Sequence, residues 1–148
     1  MTLSDWAAQH RDEIIAEDAN RAAVAPLLAV VAREITDAEA VPSDDGRLVI
    51  AFAACLAAAR AALAACGYRL RASAHHYLAV ESLRYTIGLS DNEVSELQKL
   101  RRMRARAMYD QVGIASREDA QAALAAARAL ADRVTTWLMR EHPELSLK

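Results

Sequence analysis

Apolar positions recur along the chain at helical spacing, and only a few turn clusters interrupt them. Trp6, Ile14 and Ile15 stand in an acidic opening stretch, residues 4–17, which predicts a short amphipathic turn or helix. Asn20 is placed as an N-cap, because its side-chain oxygen suits an orphan amide of the first turn, and a helix is expected from there to about Ala40. Val41-Pro42-Ser43-Asp44-Asp45-Gly46 concentrates turn formers. From about Arg47 to Cys66 the chain is apolar almost without a break, and Gly67 follows at the position where a left-handed residue closes a helix.

A fourth segment is expected from about Ser73 to Ile87, ended by Gly88. Ser90-Asp91-Asn92-Glu93 has the spacing of a capping box and opens a helix to about Tyr109. Gly113 interrupts the pattern, and Ser116-Arg117-Glu118-Asp119 resembles a second, acidic box. The last helix is expected to run to about His142, where Pro143 stops it. Amphipathic helices joined by short loops predict an all-α, up-and-down bundle of four to five helices plus a short N-terminal helix. The chain divides into an acidic leader, residues 1–19, and one helical-bundle domain, residues 20–145.

Composition supports this reading. Of 148 residues 54% are hydrophobic, and 35 of the 148 are Ala, a strong helix former with a small side chain. Only 4 Gly and 3 Pro are present, which disfavours a sheet-and-turn architecture. No GxGxxG or GxxxxGK[ST] motif occurs, so a dinucleotide-binding or P-loop enzyme is excluded and no cofactor is expected. Cys55 and Cys66 are 11 positions apart in one predicted helix, about 16 Å along its axis, too far to pair within it. No metal-ligand spacing is seen, so no metal is expected. The N-terminus lacks a basic and an apolar targeting region, so the chain is read as cytoplasmic. Residues 48–66 carry one charge, Arg60, and are mostly Ala; they are read as a buried bundle helix rather than a membrane span.

The net charge of −2 conceals an uneven distribution. Residues 1–47 hold 10 acids and 4 bases, whereas Lys99, Arg101, Arg102, Arg104 and Arg106 crowd into one predicted helix. At about 100° per residue, Lys99, Arg102, Arg106 and Tyr109 share its polar side. Arg104 falls in the apolar arc with Leu97, Leu100 and Met108, and Arg101 lies at the edge of that arc. An arginine in such an arc either snorkels to water, pairs with an acid of a neighbouring helix, or meets an anion such as an RNA phosphate. His76 lies in register with Val80, Leu83 and Ile87 and is expected to face inward. If the two helices are neighbours, His76 and Arg104 could share a pocket suited to acid–base phosphoryl chemistry.

The segments Gly67-Tyr68-Arg69-Leu70-Arg71, His75-His76-Tyr77 and Arg101 to Asp110, with Trp137 to Leu145, resemble the bacterial HEPN superfamily. More narrowly, they resemble its branch whose fourth bundle helix reads roughly RRxRNRAxYD. The resemblance spans about residues 20–145. It implies a four- or five-helix bundle, usually a homodimer with its functional groove at the dimer interface. It further implies either a metal-independent endoribonuclease or a non-catalytic RNA- or nucleotide-binding module of a toxin–antitoxin, stress or phage-defence system. The implied partners are a cognate antitoxin or a minimal nucleotidyltransferase, with no membrane. The catalytic signature of the family is Arg, often Asn, then four to six residues and His. Arg104 matches the Arg, but Ala105 replaces the Asn, and Tyr109, Asp110 and Gln111 stand where His is expected. An Arg-to-His spacing of that length also occurs from Arg69 or Arg71 to His76, at the start of a different helix, and is read as incidental.

The candidate residues are therefore Arg104, Tyr109, Asp110 and His76 for catalysis, and Lys99, Arg101, Arg102 and Arg106 for phosphate or nucleic acid. Three readings remain open. They are a binding module, a ribonuclease with a substitute acid–base group, and a structural protein whose arginines pair with its own acidic leader or a partner's.

Overall fold

The computed structural model describes residues 1–72, 75–109 and 112–146. In chain order the elements are α1 (Leu3–Gln9), β1 (Ile14–Ala16), α2 (Arg21–Ala40), α3 (Asp44–Ala65), β2 (Tyr68–Leu70), α4 (His76–Ser82), α5 (Asp91–Tyr109) and α6 (Arg117–Glu141), followed by a 3₁₀ turn, Pro143–Leu145. The architecture is an all-α bundle with a short N-terminal helix, as the periodicity predicts.

At the centre is α3, which packs mainly on α2 and α6 and also meets α4 and α5. From Ala54 to Ala59 every residue is buried, and burial resumes from Ala61 to Ala65, so no single face of α3 looks to water. Alanine allows this, because a methyl group keeps neighbouring helix axes close while each buried carbon still contributes about 0.8 kcal/mol. Phe52, Leu48 and Leu63 supply the larger fillers. The helix is long and apolar enough to cross a membrane, and 78% of its most apolar window is buried inside the protein. It is the core helix.

The capping signals are realised. Asn20 Oδ1 accepts from the Ala23 amide at 3.0 Å. Ser90 and Glu93 bond reciprocally, as do Ser116 and Asp119. Gly67 has φ +90° and closes the end of α3.

Three expectations need correction. The helix predicted from Arg47 begins at Asp44, because Ser43 is its N-cap and accepts from the Gly46 amide at 3.0 Å. Arg47 then reaches back to the α2 end and donates to the carbonyls of Ala38 (2.9 Å) and Val41 (3.1 Å), a favoured place for a cation.

In the leader, the helix stops at Gln9; Ile14 and Ile15 belong to a strand. That strand pairs antiparallel with β2 in the register Ile14–Leu70, Ile15–Arg69, Ala16–Tyr68. Two consecutive β-branched residues opposite an extended Tyr-Arg-Leu favour the ribbon. Alternation turns Ile14 and Leu70 to the core, which Trp6 and Ala7 also join. Third, α4 is only seven residues, His76–Ser82, after which the chain turns to Gly88. Ser73 lies outside the described residues. The last helix meets its expectation: α6 ends at Glu141, with His142 as its C-cap.

Candidate nucleic-acid interface

The first two turns of α5 belong to the core: Val94, Leu97 and Gln98 are buried. Beyond Gln98 no residue of the helix is buried. Its second half therefore stands on the bundle without being enclosed, and every cation of the cluster lies there.

Arg101 is held by its own neighbours. Buried Gln98 donates from Nε2 to the Tyr77 carbonyl (3.1 Å) and to Glu81 Oε2 (2.9 Å). Its Oε1 accepts from Arg101 Nε at 2.6 Å, and the Arg101 guanidinium lies over the Tyr77 ring, 5.5 Å from the centroid. Glu81 also pairs with Arg84 at 3.0 Å, and Arg84 reaches on to Asp91. This chain of contacts ties α4 to α5, so Arg101 is a packing residue first.

Lys99, Arg102 and Arg106 are exposed, and Arg104 is partly covered. None of the four forms an ion pair or side-chain hydrogen bond among the described residues. Elsewhere most arginines are engaged. Arg33, Arg69, Arg84, Arg128, Arg133 and Arg140 are ion-paired, and Arg21, Arg47 and Arg71 donate to backbone carbonyls. Outside α5 only Arg11 and Arg117 are similarly unengaged among the described residues. Acids of residues 1–47 pair with Arg33, Arg69 and Arg128, not with α5.

Because α5 is continuous from Asp91 to Tyr109, its angular arrangement is fixed. Lys99, Arg102, Arg106 and Tyr109 form one stripe about 15 Å long. It ends in Tyr109, whose surface is 72% exposed. Arg104 stands about 160° round the helix from Arg106. It cannot share one phosphate path with the stripe of the same chain. Arg104 lies instead beside Met103, Ala107 and Met108, an apolar arc that the bundle covers only in part.

His76 faces inward as expected, half-buried, its ring edge-on to Phe52 of α3 with centroids 6.3 Å apart. The ring contact described for His76 is with Phe52, and Arg104 has no hydrogen bond, ion pair or ring contact among the described residues. Asp110 and Gln111 fall outside the described residues. Among the described residues no group of three or more His, Cys, Asp or Glu could hold a metal.

One positioning residue was not visible in the sequence. Asp45, in the first turn of α3, accepts from the Gly113 amide at 2.6 Å and the Ala115 amide at 2.9 Å. These amides hold its carboxyl below the ordinary range. The contact fastens the loop that follows the basic half of α5. Asp44-Asp45 reads as turn sequence, and only its count of acids beside a helix start hinted at more.

Compared with models of known protein families, with curated proteins and with solved structures, the chain finds no match.

Proposed function

We propose that the protein is a HEPN-like RNA- or nucleotide-binding module of a toxin–antitoxin, stress or phage-defence system, non-catalytic and working as a homodimer. The observation that carries the reading is the concentration of unengaged cations on the second half of α5, in a chain that engages most of its other arginines. Lys99, Arg102 and Arg106 are the phosphate contacts, and Tyr109 is a stacking surface for a base. Arg104, on the opposite side among Met103, Ala107 and Met108, faces the second copy. A cognate antitoxin or minimal nucleotidyltransferase is the partner class.

Absence of cleavage follows from the chemistry of the positions. General acid–base catalysis typically supplies a factor of about 10²–10⁴. Tyr109 replaces one histidine position of the signature, and His76 is packed on Phe52.

The test is binding of a labelled single-stranded RNA hexamer at low salt in EDTA, followed by fluorescence anisotropy and by gel. Binding of intact RNA, weakened by Arg102→Ala or Arg106→Ala, is the expected result. Cleavage that Arg104→Ala abolishes would replace the proposal with the metal-independent endoribonuclease. No binding of RNA or nucleotide would leave the structural reading.

A further inference from the structure

A groove of about 290 Å³ runs between the first half of α5 and α6. Leu97 and Leu100 line its α5 side, and Ala122, Ala126 and Ala129, one turn apart on α6, form a low wall opposite. Glu93 and Glu96 also stand along the groove. Glu93 is engaged by the Ser90 amide and by Arg133. Glu96 is exposed and has no hydrogen bond or ion pair among the described residues. Arg104 is the second unengaged charge on this face. At about 100° per residue, Glu96, Leu100 and Arg104 fall within about 80° of one another, with Leu100 midway. Met103, Ala107 and Met108 continue the same face beyond Leu100. One helix face therefore carries a groove with a carboxylate on one side of a half-buried leucine, and a partly covered apolar arc with a guanidinium on the other.

We propose that a second copy of the chain fills this groove, its α5 running antiparallel to the first about a two-fold axis at Leu100. The proposal rests on the homodimer of the preceding reading and locates its contact. A two-fold axis at residue 100 sets each position against the one equally far on the other side. Glu96 then meets the partner's Arg104, and Arg104 meets the partner's Glu96. Met103, Ala107 and Met108 lie over the partner's Leu97, Glu93 and Asn92, which is the groove. An isologous contact needs one patch that carries both a feature and its complement, and this face has both. Charge also sets the direction. A parallel pair would place Glu96 on Glu96 and Arg104 on Arg104, opposing like charges. From Asn92 to Met108 the contact is about 24 Å long, and the α6 alanines leave room for the incoming helix. Lys99, Arg102 and Arg106 lie about 100° or more round the helix from Leu100 and stay outside it. Ordinary surface charge accounts for either residue alone, but not for a groove and an arc that are reciprocal about Leu100.

Sedimentation equilibrium of the full chain without RNA reads the dimer Kd. Glu96→Arg and Arg104→Glu should each weaken the dimer at least about tenfold, because each opposes like charges twice across the axis. Glu96→Arg/Arg104→Glu, which exchanges the two charges, should restore the Kd to within about threefold of the unmodified protein. Circular dichroism checks folding. If a charge variant does not fold, cross-linking decides. Leu100→Cys, in a Cys66→Ala chain whose Cys55 is buried, should form a disulfide-linked dimer with diamide as oxidant. Arg106→Cys in the same chain should not, being about 18 Å along the axis from its counterpart. Rescue by the exchanged pair in a chain that binds no RNA would support the contact and remove the RNA reading. A dimer indifferent to both single variants, an exchanged pair that stays dissociated, no cross-link at Leu100, or a monomer at every concentration would each overturn the contact, whatever the RNA titration gives.

Discussion

Removing Arg102 and Arg106 together should change how RNA binding depends on salt, and the size of the change follows from the stripe. Each phosphate neutralised on a single strand contributes about −0.7 to the slope of log K against log salt. Lys99, Arg102 and Arg106 lie on one side of α5 without acidic partners among the described residues. One stripe on a short oligonucleotide therefore gives a slope of about −2, a loss of roughly 20-fold between 50 and 200 mM salt. Arg102→Ala/Arg106→Ala leaves Lys99 alone, so the slope falls to about −0.7 and the loss to about threefold. Arg101→Ala is the control. Its Nε is held by Gln98 and its guanidinium rests on Tyr77, so it lowers the melting temperature but leaves the slope near −2. Anisotropy titrations of a labelled hexamer at four salt concentrations read both quantities. A double variant whose slope equals that of the unmodified protein, or an Arg101 variant that loses as much slope, would refute the assignment of phosphates to this face.

Three further outcomes test the scaffold. Asp45→Asn loosens the loop from Gly113 to Ala115. Because the folded Asp45 pKa lies below the ordinary 3.8, its contribution is complete above that value and is lost as pH falls through the folded pKa. The melting-temperature gap between the two proteins should be constant at neutral pH and close below about pH 4. Ala62→Leu, on a helix face with no space, should cost about 1–3 kcal/mol in urea unfolding. The same change at exposed Ala29 should stay within about 0.5 kcal/mol. Gly46→Ala should lower the melting temperature, although such a change inside a helix commonly gains about 1 kcal/mol. Its Cβ would stand 2.7 Å from Ser43 Oγ and 2.9 Å from Val41 Cγ2, so the cap that begins α3 must give way.

The helices were legible because their ends carry chemistry. Asn20, the Ser90–Glu93 and Ser116–Asp119 boxes and Gly67 each bind or turn the backbone through neighbours no more than four residues away. The β-ribbon was not legible, since Ile14 and Leu70 pair across more than fifty residues and each strand has only three. An amphipathic turn and a short strand look alike over that length. For the site, helical spacing located the cationic stripe but not how far the bundle covers the apolar arc. Leu100 and Met103 still pack partly on the core, whereas no residue beyond Gln98 is fully buried and Arg104 is only partly covered. Arg104 therefore needs no buried counter-ion within the chain. Nor could the sequence show that Arg101 is taken by Gln98 and Tyr77, because that depends on where α4 lies. Arg60 stood out as a charge in an apolar run, but that it lines one pocket with Arg69 is a product of the ribbon.

The uncovered arc of α5 bears on the proposed homodimer in a way that can be separated from RNA binding. Met103 and Ala107 are half-covered and Met108 is 44% exposed, beside Arg104 and opposite the phosphate stripe. Met103 packs partly on the core, but Met108 neither belongs to the core nor helps a phosphate, so a monomer gains little from it. A second copy laid on this arc would remove the methionines from water and leave Lys99, Arg102 and Arg106 facing outward on both protomers. Met108→Glu then places a carboxylate in the contact and should convert a dimer to a monomer in sedimentation or light scattering. On a single-site hexamer it leaves the salt slope per protomer near −2. Arg102→Ala/Arg106→Ala should do the reverse, reducing the slope while the mass remains that of a dimer. If the stripe variant becomes monomeric, or Met108→Glu stays dimeric, the copies meet through another surface. The arc would then have to be assigned to the antitoxin or nucleotidyltransferase partner instead.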